Sequence, residues 1–255
     1  MYAFLGQSWN VLGGYGGQFS FGHALFFGIG AFGTAILQVR HGVNAYAAGA
    51  IAIALGAIVG GAVGLLVFRY RLRGAYFALV TLAFAEVARI LISSFDYTGS
   101  GFGMLVPLAR GVANFQFEDR RVFYVIAWVL VVIGALVAWW LENSRFGARL
   151  MAVRENEDAA QALGIDLIRT KVCAITLSGA MAATVGVFYV QNFLFVDSHL
   201  AFGPAMSIEA LLVSIIGGMG TMFGPLFGAV VLHALGEAAK QITGNAPGLK
   251  LDFYG

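Results

Sequence analysis

Long runs of apolar residues dominate the chain, and short polar stretches separate them. Six of these runs carry few or no formal charges, and each reaches the roughly 20 residues that a helix needs to cross a hydrocarbon core. Backbone hydrogen bonds can be satisfied inside a membrane only by helices or closed barrels, and runs of this length are typical of helices. The pattern predicts an all-α fold, a polytopic transmembrane helical bundle with about six or more spans, in a single domain over residues 1–255. The runs cover residues 19–39, 45–68, 75–95, 122–141, 172–196 and 201–232.

Two apolar regions far apart in the sequence are interrupted in the same way. Residues 13–19 and residues 217–223 both have the form Gly-Gly-x-Gly-x-x-Phe. Paired glycine interruptions point to a transport site, because non-helical backbone at membrane depth survives only against protein or a water-filled cavity. The alternative is a pair of ordinary interfacial turns or helix-packing faces, since glycine is common in membrane helices. The first interpretation predicts that five residues line or border a passage: Gln18, Ser20, His23, Met219 and Thr221.

Three charged residues, Glu86, Arg89 and Glu209, lie inside the apolar runs. Glu86 and Arg89 are three positions apart, so they share one face of a helix. Charges within a span are costly and face protein or water, which makes them candidates for function. The alternative for this pair is a structural ion pair that fixes the rotation of its helix. Glu209 has no partner in its own run and lies near the beginning of it, where its side chain can reach the interface.

Composition limits the chemistry that the chain can perform. It is 60% hydrophobic and 11% charged, with 35 glycines and a net charge of +2, which gives no indication of a nucleic-acid partner. No Gly-x-x-x-x-Gly-Lys sequence followed by Ser or Thr occurs, so an energy source for transport must come from another chain. Cys173 is the single cysteine, and the four histidines lack metal-ligand spacing. We therefore expect a protein that is not an enzyme and holds no catalytic residues, metal or cofactor.

The distribution of basic residues predicts the orientation in the membrane. Lysine and arginine are enriched in cytoplasmic loops, so alternate loops can be compared. One set of loops carries eight basic residues and the opposite set carries four, which places the first set in the cytoplasm. The first set is Arg69, Arg71, Arg73, Arg145, Arg149, Arg154, Arg169 and Lys171, and the second is Arg40, Arg110, Arg120 and Arg121.

The strongly charged stretch at residues 142–171, which we call the coupling loop, predicts two short helices in series. Ser144 and Asn156 are suitable N-caps, because their side-chain oxygens can accept hydrogen bonds from backbone N–H groups of the first turn. Gly164 can end the second helix in the left-handed conformation. Between Asn156 and Gly164 the small residues at 159, 160 and 162 form an alanine face, which favours an exposed docking surface for another protein. The alternative is an ordinary solvated loop.

The sequence of this loop resembles a known motif. Asp158-Ala159-Ala160 followed after three residues by Gly164 resembles the Glu-Ala-Ala-x-x-x-Gly coupling motif of ABC importer permeases, with aspartate in place of glutamate. The strings at 144–147, 154–157 and 164–165 resemble the LivM-type permease of branched-chain amino acid importers. Residues within 14–31, 73–82 and 207–225 resemble further blocks of the same family, so the resemblance covers nearly the whole chain.

The resemblance implies an inner-membrane permease subunit that moves branched-chain or related amino acids by alternating access. It implies four kinds of partner: a second related permease subunit, two cytoplasmic ATPase subunits, a periplasmic substrate-binding protein and the lipid bilayer. It also implies that the loop contacts the ATPase. Family members usually have a further span at each end, which raises the expectation that this chain is a fragment. The residues that it assigns to coupling are Glu157, Asp158, Ala159, Ala160 and Gly164.

A second class of function is compatible with the same sequence. A stand-alone secondary transporter or channel would use Glu86, Arg89 or Glu209 as its proton or ion site. Co-purification with an ATPase would separate the two classes. A purely structural membrane scaffold is a third and more distant alternative.

Overall fold

The computed structural model describes residues 1–108, 111, 114–117 and 119–244, and the Arg110 of the orientation count lies outside them. The described residues contain eleven α-helices and one two-stranded antiparallel sheet, in which Met104 pairs with Val196. A π-helical turn at Val11–Tyr15 continues the first helix. The helices are α1 (Tyr2–Asn10), α2 (His23–His41), α3 (Ala45–Arg69), α4 (Ala75–Ser94), α5 (Arg120–Asn143), α6 (Arg145–Glu155), α7 (Glu157–Ala162), α8 (Leu167–Phe193), α9 (Ser198–Phe202), α10 (Pro204–Gly217) and α11 (Gly224–Gly244), and the strands are β1 (Met104–Leu105) and β2 (Phe195–Val196).

The predicted all-α membrane bundle is confirmed. Four of the helices within the described ranges, α3, α4, α5 and α8, are long and apolar enough to cross a membrane. The other described helices do not combine the length and apolarity of these four, so the count of six or more spans stays a prediction. The run predicted from residue 19 becomes helical only at His23, and residues 17–22 before it are non-helical. The run predicted from residue 172 begins earlier, at Leu167, because the Asp166 side chain accepts a hydrogen bond from the Arg169 backbone N–H at 2.9 Å.

Helix α8 lies at the centre of the bundle and packs against α2 and α3. The contact with α3 depends on glycine. A Cβ added at Gly60 would lie 2.9 Å from the Ile175 carbonyl oxygen, and one at Gly179 would lie 2.9 Å from the Gly56 carbonyl oxygen. Because no side chain separates the two backbones, the helices approach closely, as small residues allow in membranes.

Contacts between loops divide the molecule into two ends. At one end the Arg73 guanidinium forms a 2.9 Å salt bridge with Glu157, which joins the arginine-rich turn after α3 to the coupling loop. At the other end Arg40 Nε donates to the Tyr97 carbonyl oxygen at 3.2 Å, and the Tyr97 hydroxyl lies 2.8 Å from His41 Nε2. Loops that the basic-residue count assigns to one side therefore touch each other.

Thiol labelling of intact cells should show that the end carrying the coupling loop faces the cytoplasm. In a Cys173→Ser background, we expect the Asp158→Cys variant to react with an impermeant maleimide only after permeabilisation. The Phe102→Cys variant should react without it. Both positions suit the assay, since the Asp158 side chain is 86% exposed and Phe102 is 90% exposed. Labelling of Asp158→Cys in sealed cells would reverse the orientation.

Candidate functional site

The coupling loop folds as the two helices in series that the sequence predicts. The Ser144 hydroxyl accepts a hydrogen bond from the Gly147 backbone N–H at 3.0 Å, which caps α6. The Asn156 side-chain oxygen accepts from the N–H groups of Asp158 and Ala159, each at 3.0 Å, which caps α7. Gly164 follows α7 with a φ of +81°, the left-handed conformation expected of it. The predicted caps and the glycine stop are confirmed.

Glu157 fastens α7 to the membrane bundle. One of its carboxylate oxygens lies 2.5 Å from Lys171 Nζ of α8, and the other lies 2.9 Å from Arg73 Nε. The side chains of Glu157 and Lys171 are only 15% and 5% exposed. Loss of Glu157 would leave the buried Lys171 ammonium without its carboxylate partner, which is strongly destabilising. Glu157 therefore acts in this structure as an anchor of α7, with its carboxylate turned towards the bundle.

The outward face of the coupling loop differs from the predicted alanine face. Leu163 is 81% exposed and Asp158 is highly exposed, and Ala159 and Gly164 are exposed as well. Ala160 was expected on this face, but it is 2% exposed and packs inwards. The reason is helical spacing: Ala160 lies three residues after Glu157 and shares the inward side of α7 with it.

Helix α6, which belongs to the coupling loop, contacts the first glycine break at residues 13–19. Arg154 Nη1 donates to the Gly14 carbonyl oxygen at 3.0 Å. Its Nε and Nη2 atoms donate to one carboxylate oxygen of Glu155 at 3.0 and 2.7 Å, which fixes the plane of the guanidinium. Leu150, on the same helix, is fully buried, and a Cβ added at Gly16 would lie 3.2 Å from its side chain. Helix α6 therefore contacts the chain at residues 14–16 directly.

The two glycine breaks, about 200 positions apart in the sequence, meet in space, and Asn10 joins them. Its side-chain oxygen accepts from the Gly220 backbone N–H at 2.7 Å, and its Nδ2 donates to the Thr221 carbonyl oxygen at 3.0 Å. A Cβ added at Gly14 would lie 2.5 Å from the Gly220 nitrogen, so the contact requires glycine. Sequence reasoning paired the breaks but missed Asn10 and Arg154. The signal available in the sequence was a polar residue, Asn10, directly before the apolar residues that lead into the first break.

Side chains of three other helices satisfy backbone groups of residues 20–24, where the non-helical segment leads into α2. Thr81 of α4 accepts a hydrogen bond from the Phe21 N–H at 3.2 Å, and Ser207 of α10 accepts from the Ala24 N–H at 2.8 Å. The indole N–H of Trp9 donates to the Ser20 carbonyl oxygen at 2.8 Å. Irregular backbone at membrane depth is tolerated when it is buried in protein in this way. The segment that leads into α2 therefore contacts α1, α4 and α10 at one place.

The five predicted passage residues fall into two groups. Gln18, Ser20 and His23 are buried, with exposures of 7%, 0% and 0%, while Met219 is 46% exposed and Thr221 is exposed. The Ser178 hydroxyl, 2.8 Å from His23 Nε2, donates to the Ser8 carbonyl oxygen at 2.6 Å, so the hydrogen of the His23–Ser178 bond must come from His23. Ser20 and His23 of the first group thus contact α1 and α8, and the second group lies at the surface near Arg154 of the coupling loop.

The charged residues within the apolar runs also separate. Glu86 and Arg89 form the expected pair, with Nε to Oε2 at 2.9 Å and Nη2 to Oε1 at 2.5 Å. Sequence reasoning did not find a third member: His199 Nδ1, from α9, lies 3.2 Å from Arg89 Nη1. Glu209 lies on α10, partly buried, and forms no salt bridge with any residue that the structure describes.

These features place the chain among polytopic helical membrane proteins with interrupted helices. The whole chain, residues 1–255, matches the family described as the permease component of branched-chain amino acid transport systems, and it belongs to that family. It is 31% identical over 95% of its length to the high-affinity branched-chain amino acid transport system permease protein LivM of Salmonella typhimurium, and 30% identical over 95% to LivM of Escherichia coli. The chain spans 62% of the length of each of these LivM proteins.

A relative with a different cargo in its name matches over a shorter stretch. The autoinducer 2 import system permease protein LsrC of Enterobacter sp. is 31% identical over 71% of this chain and 52% of its own length. No solved structure matches the chain at a significant level.

Proposed function

We propose that this chain is the permease subunit, or a large part of it, of an ABC importer in the bacterial inner membrane. It moves branched-chain or related amino acids by alternating access and holds no ATPase site of its own. Its partners are a second related permease subunit, two cytoplasmic ATPase subunits and a periplasmic binding protein. The observation that carries this proposal is the coupling loop, an exposed helical element whose helix α6 hydrogen-bonds the first glycine break, which Asn10 in turn joins to the second.

The coupling loop has the mechanical connections that a force-transmitting element needs. Its outward side offers Leu163, Asp158 and Gly164 to a partner. Its inward side is fixed to α8 and to the turn after α3 through Glu157. Since Arg154 continues the connection to Gly14, and Asn10 continues it to Gly220, a push on α7 is passed to the two glycine breaks. In this proposal Glu157 and Ala160 hold α7 in place, and the exposed residues contact the ATPase.

In this proposal Ser20 and His23 border the passage, and both are buried in the conformation described. Displacement of the non-helical segment at residues 17–22 would expose a backbone carbonyl group and an N–H group that are now held by Trp9 and Thr81. Such groups can hydrogen-bond the charged ends of an amino acid while it crosses. The match to LivM over nearly the whole chain supports an amino acid as the cargo, while the match to LsrC is shorter.

One observation favours a second candidate, the stand-alone transporter or channel. Glu86 and Arg89 are exposed within a membrane helix, with 44% and 21% of their side chains accessible, and an exposed intramembrane charge is a candidate ion or proton site. That protein would use an ion gradient, with no need for the coupling loop.

Uptake by proteoliposomes containing the full complex separates the two candidates. We expect accumulation of radiolabelled leucine only when the loaded binding protein is outside and ATP is inside, and no dependence on a proton or sodium gradient. An inactivating substitution in the ATP site of the partner ATPase should abolish uptake. Gradient-driven uptake by the permease alone, without ATPase or binding protein, would overturn the ABC importer and support the stand-alone transporter.

A further inference from the structure

The cluster of Glu86, Arg89 and His199 lies on the outer half of a helix long and apolar enough to cross a membrane. Glu86 and Arg89 belong to α4, a 20-residue helix. A helix of that length spans about 30 Å, which is the thickness of the hydrocarbon core. Glu86 then lies about 12 Å, and Arg89 about 8 Å, from the outer end of α4 at 1.5 Å per residue. Both charges are therefore within the apolar layer.

The side chain of Arg89 does not reach towards the nearer interface. Side chains on a helix lean towards its N-terminus, which for α4 is the end of the coupling loop. Arg89 follows this direction and meets Glu86 one turn earlier, and its other terminal nitrogen is held by His199. An arginine that served only to relieve its burial in lipid would extend to the closer surface. The orientation of Arg89 thus favours a role within the layer.

The α4 surface that carries the cluster is not covered by the rest of this chain. Glu86 is 44% exposed at its side chain, and the apolar neighbours Val87 and Ile90 are 53% and 50% exposed. An accessible ion pair facing lipid at this depth would be costly, so the surface faces water or protein. We name the surface formed by Glu86, Val87, Arg89, Ile90 and His199 the α4 face.

We propose that the α4 face lines the translocation pathway and binds the charged ends of a zwitterionic amino acid in transit. The ligand class rests on the proposed function, because it takes an amino acid as the cargo. Arg89 has five N–H groups; two donate to Glu86 and one to His199, which leaves one on each terminal nitrogen for a carboxylate. The Glu86 carboxylate has further lone pairs for an ammonium group. His199 is a positioning residue that orients Arg89.

Thiol accessibility tests whether the α4 face meets water. In a Cys173→Ser complex, Val87→Cys and Ile90→Cys should react with a small hydrophilic methanethiosulfonate, and excess leucine should slow the reaction. Val132→Cys on α5 is a matched control, with the same 53% exposure as Val87 and a mid-helix position, and it should not react. The α4 face is lipid-facing, and the proposal is wrong, if Val87→Cys is as inert as Val132→Cys. Reaction only when the second permease subunit is omitted would make it a subunit interface and also overturn the proposal.

Transport kinetics test the role of the charges. Arg89→Ala and Glu86→Gln should each raise the KM for leucine uptake by about 10- to 100-fold, the range for a lost hydrogen bond to a charged group. ATPase stimulation by the binding protein should persist, because the coupling loop is unchanged. His199→Ala should raise KM less, and His199→Gln, which keeps an acceptor, should restore it. If Arg89→Ala fails to insert, Arg89→Lys takes its place in the measurement, because lysine retains the charge. Unchanged KM in all these variants would refute ligand binding.

The two proposals fail in distinguishable ways. Thiol labelling of the α4 face requires neither ATP nor the ATPase, so its outcome does not depend on how transport is driven. If wild-type uptake needs no ATP, the proposed function fails while the labelling and leucine protection still report on the α4 face. If wild-type uptake needs ATP but the α4 cysteines are inert, only the further inference fails.

Discussion

Replacement of Gly164 by valine is expected to abolish stimulation of the partner ATPase by loaded binding protein, with normal amounts of permease in the membrane. Gly164 holds a φ of +81°, which costs a β-branched residue on the order of 1–3 kcal/mol. A Cβ at this position would touch nothing within 4 Å, so the strain acts on the backbone alone. It therefore changes the shape of the turn after α7 and leaves the packing of the helical bundle unchanged. ATPase activity of the reconstituted complex, with and without binding protein, measures the effect.

A matched control exists for this backbone strain. Gly42 ends α2 with a φ of +62° and also has nothing within 4 Å of an added Cβ, but it lies at the opposite end of the molecule. Gly42→Val should carry a similar local cost and leave ATPase stimulation intact. Equal loss in both variants would mean that valine acts through general destabilisation. Wild-type stimulation in Gly164→Val would remove the coupling role from this turn.

The Leu163→Asp variant tests the surface contact made by this turn separately from the shape of its backbone. Leu163 is 81% exposed, so its replacement changes the outward surface without altering the packing of this chain. An apolar side chain at the centre of an interface contributes about 2 kcal/mol or more, which corresponds to roughly 30-fold in affinity. Stimulation should therefore need a higher ATPase concentration, and co-purification of the ATPase should fall. The variant Ala160→Arg is less informative, because Ala160 is buried and a charge there disrupts α7 itself.

Local rules predicted much of this architecture from the sequence. Helix caps at Ser144 and Asn156 depend only on neighbours within three residues, and the left-handed glycine at 164 depends only on the end of its own helix. The pairing of Glu86 with Arg89 follows from helical spacing in the same way. Apolar runs of sufficient length predicted the membrane bundle, since the thickness of the bilayer sets their length.

Contacts between distant segments could not be predicted in this way. The sequence paired the two glycine breaks by their similarity, but nothing local indicates that Asn10 bonds the backbone of Gly220. The inward position of Ala160 depends on the anchoring of Glu157 by Arg73 and Lys171, which come from two other parts of the chain. His199 joins Arg89 from a helix 110 positions later. Each of these contacts requires the tertiary arrangement, and each changes the expected role of a residue that sequence reasoning had already selected.

Asn10 also links the two glycine breaks in the structure. It is the single residue among the described ones whose side chain hydrogen-bonds both Gly220 and Thr221, and it belongs to the helix that leads into the first break. The Arg154 guanidinium lies on the other side of that break, bound to the Gly14 carbonyl oxygen. The order of contacts from the coupling loop inwards is thus α6, the first break and the second break. Loss of the Arg154 contact should weaken the connection between the loop and both breaks.

Arg154→Ala is accordingly expected to uncouple ATP hydrolysis from transport. The docking surface of α7 is unchanged, so loaded binding protein should still stimulate the ATPase, while leucine transported per ATP falls by about 10- to 100-fold, the range for a lost charge-assisted hydrogen bond. Arg149→Ala is the matched control: Arg149 is an exposed arginine on the same helix, and it lines a cavity with Arg169 and Cys173 away from Gly14. It should transport normally. The measurement is uptake and phosphate release in the same proteoliposomes. If Arg154→Ala keeps the wild-type ratio of transport to hydrolysis, the hydrogen bond to Gly14 stabilises the fold and the force takes another route, through Glu157 and α8.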